Sequence, residues 1–235
     1  MIIKKFLIRF LAILMPTKLM RQNVRDCLTV GLGHTYNRGG KNNTIVYIDK
    51  NNKKHTVRKL PGCKIYFYGD NNYIEIHGPL KALQLEANLY GNSKIVIQSS
   101  QFDKRRFKVS GMVNSELKID KDFYINGQLL IEFTDNTKVH IGKNCVFSYD
   151  IIIRTGDGHQ IRSLKTKKLI NANKDVIIGN HVWVACRTTI LKGSVISDNS
   201  IVGACSLVNK EFHEENVILA GVPADIKKRD IQWIK

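Results

Sequence analysis

The sequence is poor in acids. Its 235 residues hold 20 Asp and Glu against 37 Lys and Arg, a formal net charge of +17. Such a polycation suits an anionic partner: a nucleic acid, an anionic membrane face, or an acidic polymer or cofactor. A solvated basic surface would account for the same charge with no partner. No nucleic-acid recognition motif accompanies the charge. The five cysteines, Cys27, Cys63, Cys145, Cys186 and Cys205, are odd in number, widely spaced and free of any C-x-x-C pair. That excludes a disulfide framework and a thiolate zinc site, and reduced thiols are expected. A membrane-spanning run is also lacking. Residues 1–15, MIIKKFLIRFLAILM, are interrupted by Lys4, Lys5 and Arg9, too short and too charged to cross a bilayer. With an arginine inside the apolar stretch and no small-residue cleavage site, they do not read as a signal peptide. They read as a basic amphipathic helix, followed by a second basic stretch over 18–25. Two fates are open for it: lying in an anionic membrane interface, or packing against another subunit.

What is present is a period. Ile178, Val184, Ile190, Ile196, Val202 and Val208 stand six residues apart, and all are β-branched. Neither a helix nor an alternating strand selects every sixth residue by itself. A parallel β-helix does: six residues form one flat side, three sides complete a coil of about eighteen, and the aliphatic residue points inward onto its equivalent in the next coil. The register continues backwards through Ile141, Phe147 and Ile153 and arrives at His159. There the chain leaves the ladder through HQIRSLKTKKLINANKD and re-enters at Val176 to Ile178. A loop of that length ejected from a solenoid points to function.

Upstream, KIYFYG, YIEIHG, ALQLEA, KIVIQS, RFKVSG, ELKIDK, LLIEFT and KVHIGK each carry two alternating apolar residues between Gly/Asn turns, as half-buried strands do. Their spacing of about ten to twelve residues reads as larger, less regular coils that lead into the strict repeat, in preference to an antiparallel sandwich. The expected organisation is a helical segment at 1–28, a loop and hairpin linker at 29–63 (TIVYID and HTVRKL flanking a turn), irregular coils at 64–138, the regular repeat at 139–222 with its loop at 159–175, and a C-terminal cap at 223–235, where the basic tail is expected to close the open end as a short helix.

The segment IIGNHVWVACRTTILKGSVISDNSIVGACSLVNKEF, followed by ILAGVPADIKKR, resembles the hexapeptide-repeat acyltransferases. Ile178, Gly179, Val182, Trp183, Gly203, Ala204, Ser206, Lys210, Gly221, Pro223 and Ala224 match that family's usual string. The departures are Ala185 for a glycine, Lys192 for a proline and Cys205 for a glycine. The upstream FSYDIIIRTGDGHQI is similar to the O-acetyltransferases of bacterial capsular and lipopolysaccharide sugars. The resemblance implies a mainly β protein, a left-handed parallel β-helix with an N-terminal helical extension and a short C-terminal helix. It further implies a homotrimer that uses acetyl-CoA and no metal, works in the cytoplasm, and acts on a surface glycan or its precursor. In the subgroup the histidine of D-G-H is the catalytic base and a tryptophan lines the same site. Here those positions are His159 and Trp183.

The chemistry suits those residues. A sugar hydroxyl must lose its proton as it attacks a thioester, and a neutral imidazole near pH 7 can take it. Asp157 and Asp150 are candidate orienters of that ring, as is a backbone carbonyl. His140 and His181 are competing bases at ordinary repeat positions. Trp183 could donate its N–H and pack an acyl chain or sugar face, or pack at a subunit boundary. Ala185, Gly203 and Gly221 lie eighteen apart and are expected to stack as a track for pantetheine beside Ala204. Lys210, Lys227, Lys228 and Arg229 are candidate phosphate partners. Asp150, Arg154 and Lys165 are candidate acceptor contacts, and the loop cations Arg162, Lys165, Lys167 and Lys168 suit either an acidic glycan or the nucleotide phosphates. Carbonic anhydrases built on the same solenoid need two zinc histidines five apart, and no H-x-x-x-x-H occurs. The alternatives are an acetyltransferase for a small sugar nucleotide or amino acid, and a basic scaffold that binds polyanions without catalysis.

Overall fold

The structure, a computed structural model, describes residues 33–78, 83–102 and 106–235; the helix expected at 1–28 lies outside them. The described residues are mainly β and contain no helix, so none is long and apolar enough to cross a membrane. Their strands form three sheets of eight, nine and seven members. The chain visits the three faces in turn. Leu129–Phe133 lies on the first face, Lys138–Ile141 on the second and Val146–Phe147 on the third, and Ile151–Arg154 returns to the first, paired in parallel with Leu129–Phe133. This is a parallel β-helix.

The six-residue ladder is its inner wall. Ile153, Ile190 and Val208 stack on the first face; Ile141, Ile178 and Ile196 on the second; Phe147, Val184 and Val202 on the third. All nine are buried. Strands inside each sheet bond the coil before and the coil after, so their inner side chains are held in register by backbone bonds on both sides. Burying such a side chain stabilises by about 1.5–3 kcal/mol.

The earlier coils are regular too, with a different repeat. Leu85, Phe107, Leu129 and Ile151 stack in register, each 22 residues after the last. The four extra residues lengthen strands on the first two faces, and the spacing of about eleven seen in the sequence is half of this repeat. In the later coils the step is 18, as from Ile177 to Val195. Across the ejected loop it is 37, as from Ile152 to Thr189. The coil also begins sooner than Lys64: His34–Asn37 pairs with Lys64–Phe67, and Thr44–Ile48 with Tyr73–His77. Thr44–Ile48 and Lys54–Val57 form an antiparallel hairpin on the rim of the second face.

The corners need a left-handed backbone. Asn42, Asn71, Asn92, Asn114 and Asn136 all have φ between 47° and 58° where the first face turns into the second. Asparagine tolerates this region better than other residues bearing a Cβ. Their side chains also bond in a row: each Nδ2 donates to the Oδ1 of the next, at 2.9–3.2 Å.

The C-terminal cap departs from expectation. It is no helix. Ala224–Lys228 turns back as an antiparallel strand on Ile218–Gly221, covering the rim of the third face, and residues 229–235 continue without regular structure. A sheet rim presents unpaired N–H and C=O groups, and a returning strand pairs them where a helix would only cover them. Trp233 then folds under the third face: its Nε1 donates to the His181 carbonyl at 3.0 Å and its ring stacks on the His181 imidazole at 4.0 Å.

Asn92→Ala should lower stability by about 1–2 kcal/mol, through a strained αL alanine and two lost side-chain bonds. Asn92→Gly should lose less, since glycine accepts the backbone. Thermal unfolding of the two variants checks the order.

Candidate active site

His159 sits where the solenoid opens. Ile151–Arg154 ends the first face, and the chain leaves at the corner before the second face resumes at Val176–Ile178. Thr155 is buried at the exit, its hydroxyl bonded to the Thr137 hydroxyl (2.6 Å) and to the Thr134 N–H (2.7 Å). The Lys174 N–H donates to the Thr155 carbonyl at 3.0 Å and closes the loop's base. Gly158, with φ 85° and no atom within 4 Å of where a Cβ would stand, turns the chain outward. Beyond it the loop folds on itself. The Ile170 N–H donates to the Ile161 carbonyl (2.9 Å), and the Arg162 guanidinium bonds the Lys167 carbonyl (3.2 Å) and Gln160 (2.9 Å).

All seven histidines lie among the described residues, and they separate cleanly. His55, His77, His140 and His213 each bond a carboxylate at 2.8–2.9 Å. His181 bonds Asn199 (3.1 Å) and stacks on Trp233, and His34 stacks on Tyr36. The imidazole of His159 alone has no hydrogen-bond, ion-pair or ring partner among the described residues. It is exposed, with both ring nitrogens open to a substrate. His140 and His181, the competing bases, are occupied.

Neither candidate orienter reaches that ring. The Asp157 carboxylate accepts from Lys192 Nζ at 2.6 Å and from Asn171 Nδ2 at 2.9 Å. The Lys192 ammonium, and then Asn171, hold its pKa below the usual carboxylate range. Asp150 has φ 57° at the opposite end of Ile151–Arg154, where the third face turns into the first. A four-residue strand, roughly 13 Å, separates that corner from the exit. Arg154 is near the exit but beside Glu132, its Nε 2.7 Å from Oε2 in an ion pair without the alignment of a hydrogen bond. Lys165 is exposed on the loop, as are Lys167 and Lys168.

The rest of the expected site lies elsewhere. Trp183 is on the third face, the side opposite the exit corner. It is 40% exposed, and Trp233 is 6.1 Å away. Two residues on, in the same coil, the small-residue column begins. Ala185 donates its N–H to Val202 and Gly203 donates to Leu219. The final step is shorter by one residue: Ile201 pairs with Ile218 and Val202 with Leu219, so Gly203 faces Ala220 and not Gly221. The column is Ala185, Gly203 and Ala220, with Ala204 exposed beside it. Lys210 is ion-paired with Asp225 (3.4 Å) and Arg229 with Glu214 (2.8 Å). Lys227 and Lys228 are exposed and have no ion-pair partner among the described residues. Burial pushes the thiols of Cys63 and Cys145 up to about 12, which makes neither a nucleophile. Among the described residues no three His, Cys, Asp or Glu side chains converge as a metal site.

Sequence reasoning missed Lys192 and Asn171, which hold the loop's base, and Trp233. The one signal was Lys192 itself, standing where a proline is usual.

A solenoid of six-residue sides, opened at a D-G-H turn that frees one imidazole, defines an acyltransferase of the hexapeptide-repeat class. Comparison with known proteins agrees. The chain is 34% identical over 201 residues to the polysialic acid O-acetyltransferase of Neisseria meningitidis, covering 85% of this chain and 89% of that one. It is 33% identical over 112 residues to the galactoside O-acetyltransferase of Escherichia coli, 48% of this chain and 53% of that one. The solved structure of the polysialic acid O-acetyltransferase OatWY matches with a TM-score of 0.70 at 29% identity, over 86% of this chain and 90% of that one. The polysialic-acid-specific acetyltransferase NeuO matches at 0.62 and 26%, over 86% and 88%. No protein-family model matches the sequence. The chain belongs to the hexapeptide-repeat O-acetyltransferases.

Asp157 gives a pH test. Its pKa is lower folded than unfolded, so its contribution is present above the unfolded value of about 3.9 and fades as pH falls through the native value. Asp157→Asn should therefore melt below the wild type at pH 7, and the gap between the two should close in strong acid. Paired thermal melts across pH check it.

Proposed function

We propose that this enzyme transfers an acetyl group from acetyl-CoA directly to a hydroxyl of an acidic bacterial surface glycan, with His159 as general base. The observation that carries the reading is the free imidazole of His159 at the mouth of the ejected loop. The ring removes the hydroxyl proton as the sugar oxygen attacks the thioester carbonyl. The C–S bond breaks, and the imidazolium returns the proton to the departing sulfur, giving an O-acetyl ester and a free CoA thiol. A positioned base of this kind contributes about 10²–10⁴-fold. The relatives that act on polysialic acid support an acidic acceptor, as do the net charge of +17 and the exposed Lys165, Lys167 and Lys168.

The donor fits the third face. Ala185, Gly203 and Ala220 leave an open strip there, and Lys227 and Lys228 are free to meet phosphates. Trp183 would form one wall. That strip and His159 are on opposite sides of one chain, so a single chain holds two half-sites. A cyclic homotrimer joins the exit corner of one subunit to the third face of the next. The loop supports such a contact: Ile161, Leu164, Leu169 and Ile170 are all exposed, Leu164 at 89%. We read the coil as left-handed, as in the family, and place the enzyme in the cytoplasm, against the inner membrane face through basic residues 1–28.

His159→Ala should lose at least about 10² in acetyl transfer; thiol release unchanged by that substitution would reject the mechanism. The shared site has its own test. His159→Ala and Trp183→Ala chains, each inactive, should regain about a quarter of wild-type activity when refolded together in equal amounts, because one interface in four then has both side chains. No recovery would place both halves in one chain. Full-length protein should float with anionic liposomes and a chain lacking residues 1–28 should not; equal behaviour rejects membrane contact.

A further inference from the structure

His159 follows the least restrained point of the loop. Gly158 has a positive φ and no neighbour within reach of a Cβ, so nothing local fixes the direction in which the chain leaves. Glycine has the most conformational freedom to lose on ordering. The restraint comes from two side chains outside the D-G-H turn. Lys192 lies at the corresponding corner of the next coil, after Thr189–Ile190. Its side chain is 20% exposed, and its Nζ donates to Asp157 Oδ2 at 2.6 Å and to the Asn171 carbonyl at 2.9 Å. One ammonium thus ties the departing limb of the loop to the returning limb.

Asn171 carries that tie to the histidine. Its Nδ2 donates to Asp157 Oδ2 (2.9 Å) and to the His159 backbone carbonyl (2.8 Å), and its Oδ1 accepts the Ile161 N–H (2.7 Å). Residues 157, 159 and 161 are therefore anchored to one amide, which is itself anchored to Lys192. Bonds involving a charged group are about twice as strong as neutral ones, and Lys192 makes two of them across the loop's base. The coil below is already locked by backbone and Thr155 bonds, so Lys192 is placed to act on the loop's exit and on little else.

We propose that Lys192, acting through Asp157 and Asn171, is a positioning residue for His159: it fixes where the base stands when the sugar hydroxyl arrives. The proposal rests on His159 as the base. An error of about 1 Å in the position of a catalytic group can cost on the order of 10²-fold.

The test uses full-length Lys192→Met, which keeps the apolar stem and removes the charge, and Lys192→Arg, which keeps a cation with donors for both oxygens. Acetyl transfer is followed as free-thiol release from acetyl-CoA with an acidic glycan acceptor. Lys192→Met should lower kcat by about 10–100-fold with the KM for acetyl-CoA within about twofold of wild type, and Lys192→Arg should recover most of the loss. In a His159→Ala background, Lys192→Met should add no further loss. Wild-type kcat in Lys192→Met overturns the proposal. So does a loss that follows the melting temperature down and is not recovered by arginine, or one that recurs in full without His159. A His159→Ala enzyme that keeps its rate rejects the base itself, a different failure seen before Lys192 is touched.

Discussion

Everything in this molecule depends on coils that land in register on one another. Inner side chains and inter-coil backbone bonds share the same alignment, so a slip of one residue would turn an inward row outward. Extra chain can therefore enter only at a corner, and only if it returns to its starting register. The loop obeys this. It raises the step between coils from 18 residues to 37, yet Ile153 still stacks on Ile190, and the Lys174 N–H meets the Thr155 carbonyl at 3.0 Å. The loop is an insertion that leaves the wall intact, so His159 projects from a root that is bonded into the coil.

The wall was legible because the repeat is strict where the coils are short. With two-residue strands and corners of fixed length, Ile178 to Val208 repeat at six with nothing between them to vary. In the earlier coils the strands are longer and unequal, and the 22-residue repeat appeared only as strands about half a repeat apart. The C-terminal tail was misread for another reason: a basic tail at an open end suggested a helical cap, but the rim of the third face needed a strand partner, and that need is not written locally. The displacement of Gly221 by Ala220 has the same origin. It follows from a final step of 17 residues, Ile201 to Ile218, which only the pairing reveals.

The site was legible residue by residue but not as an assembly. D-G-H and V-W carry the proposed base and aromatic wall, and the 24 residues between them include the ejected loop, so Trp183 stands on the second side after the exit. In a three-sided solenoid that places His159 at a corner and Trp183 on the face opposite. In the trimer proposed above the two meet across subunits. The exposed aliphatic residues of the loop fit the same proposal.

Charge at the exit is organised by a residue the sequence offered only as an irregularity. A proline at position 192 would fix the corner's φ and remove a donor, but it could not reach across the loop's base. A lysine reaches it, and its ammonium neutralises Asp157. Left uncompensated, that carboxylate, two residues from His159, would repel an acidic glycan and could capture the imidazole. With Lys192 engaged, the acid is turned into a structural anchor, and the exposed groups at the exit include the proposed base and the lysines of the loop. The same residue thus ties the two limbs of the loop together and, for the acidic acceptor proposed above, removes a repelling charge.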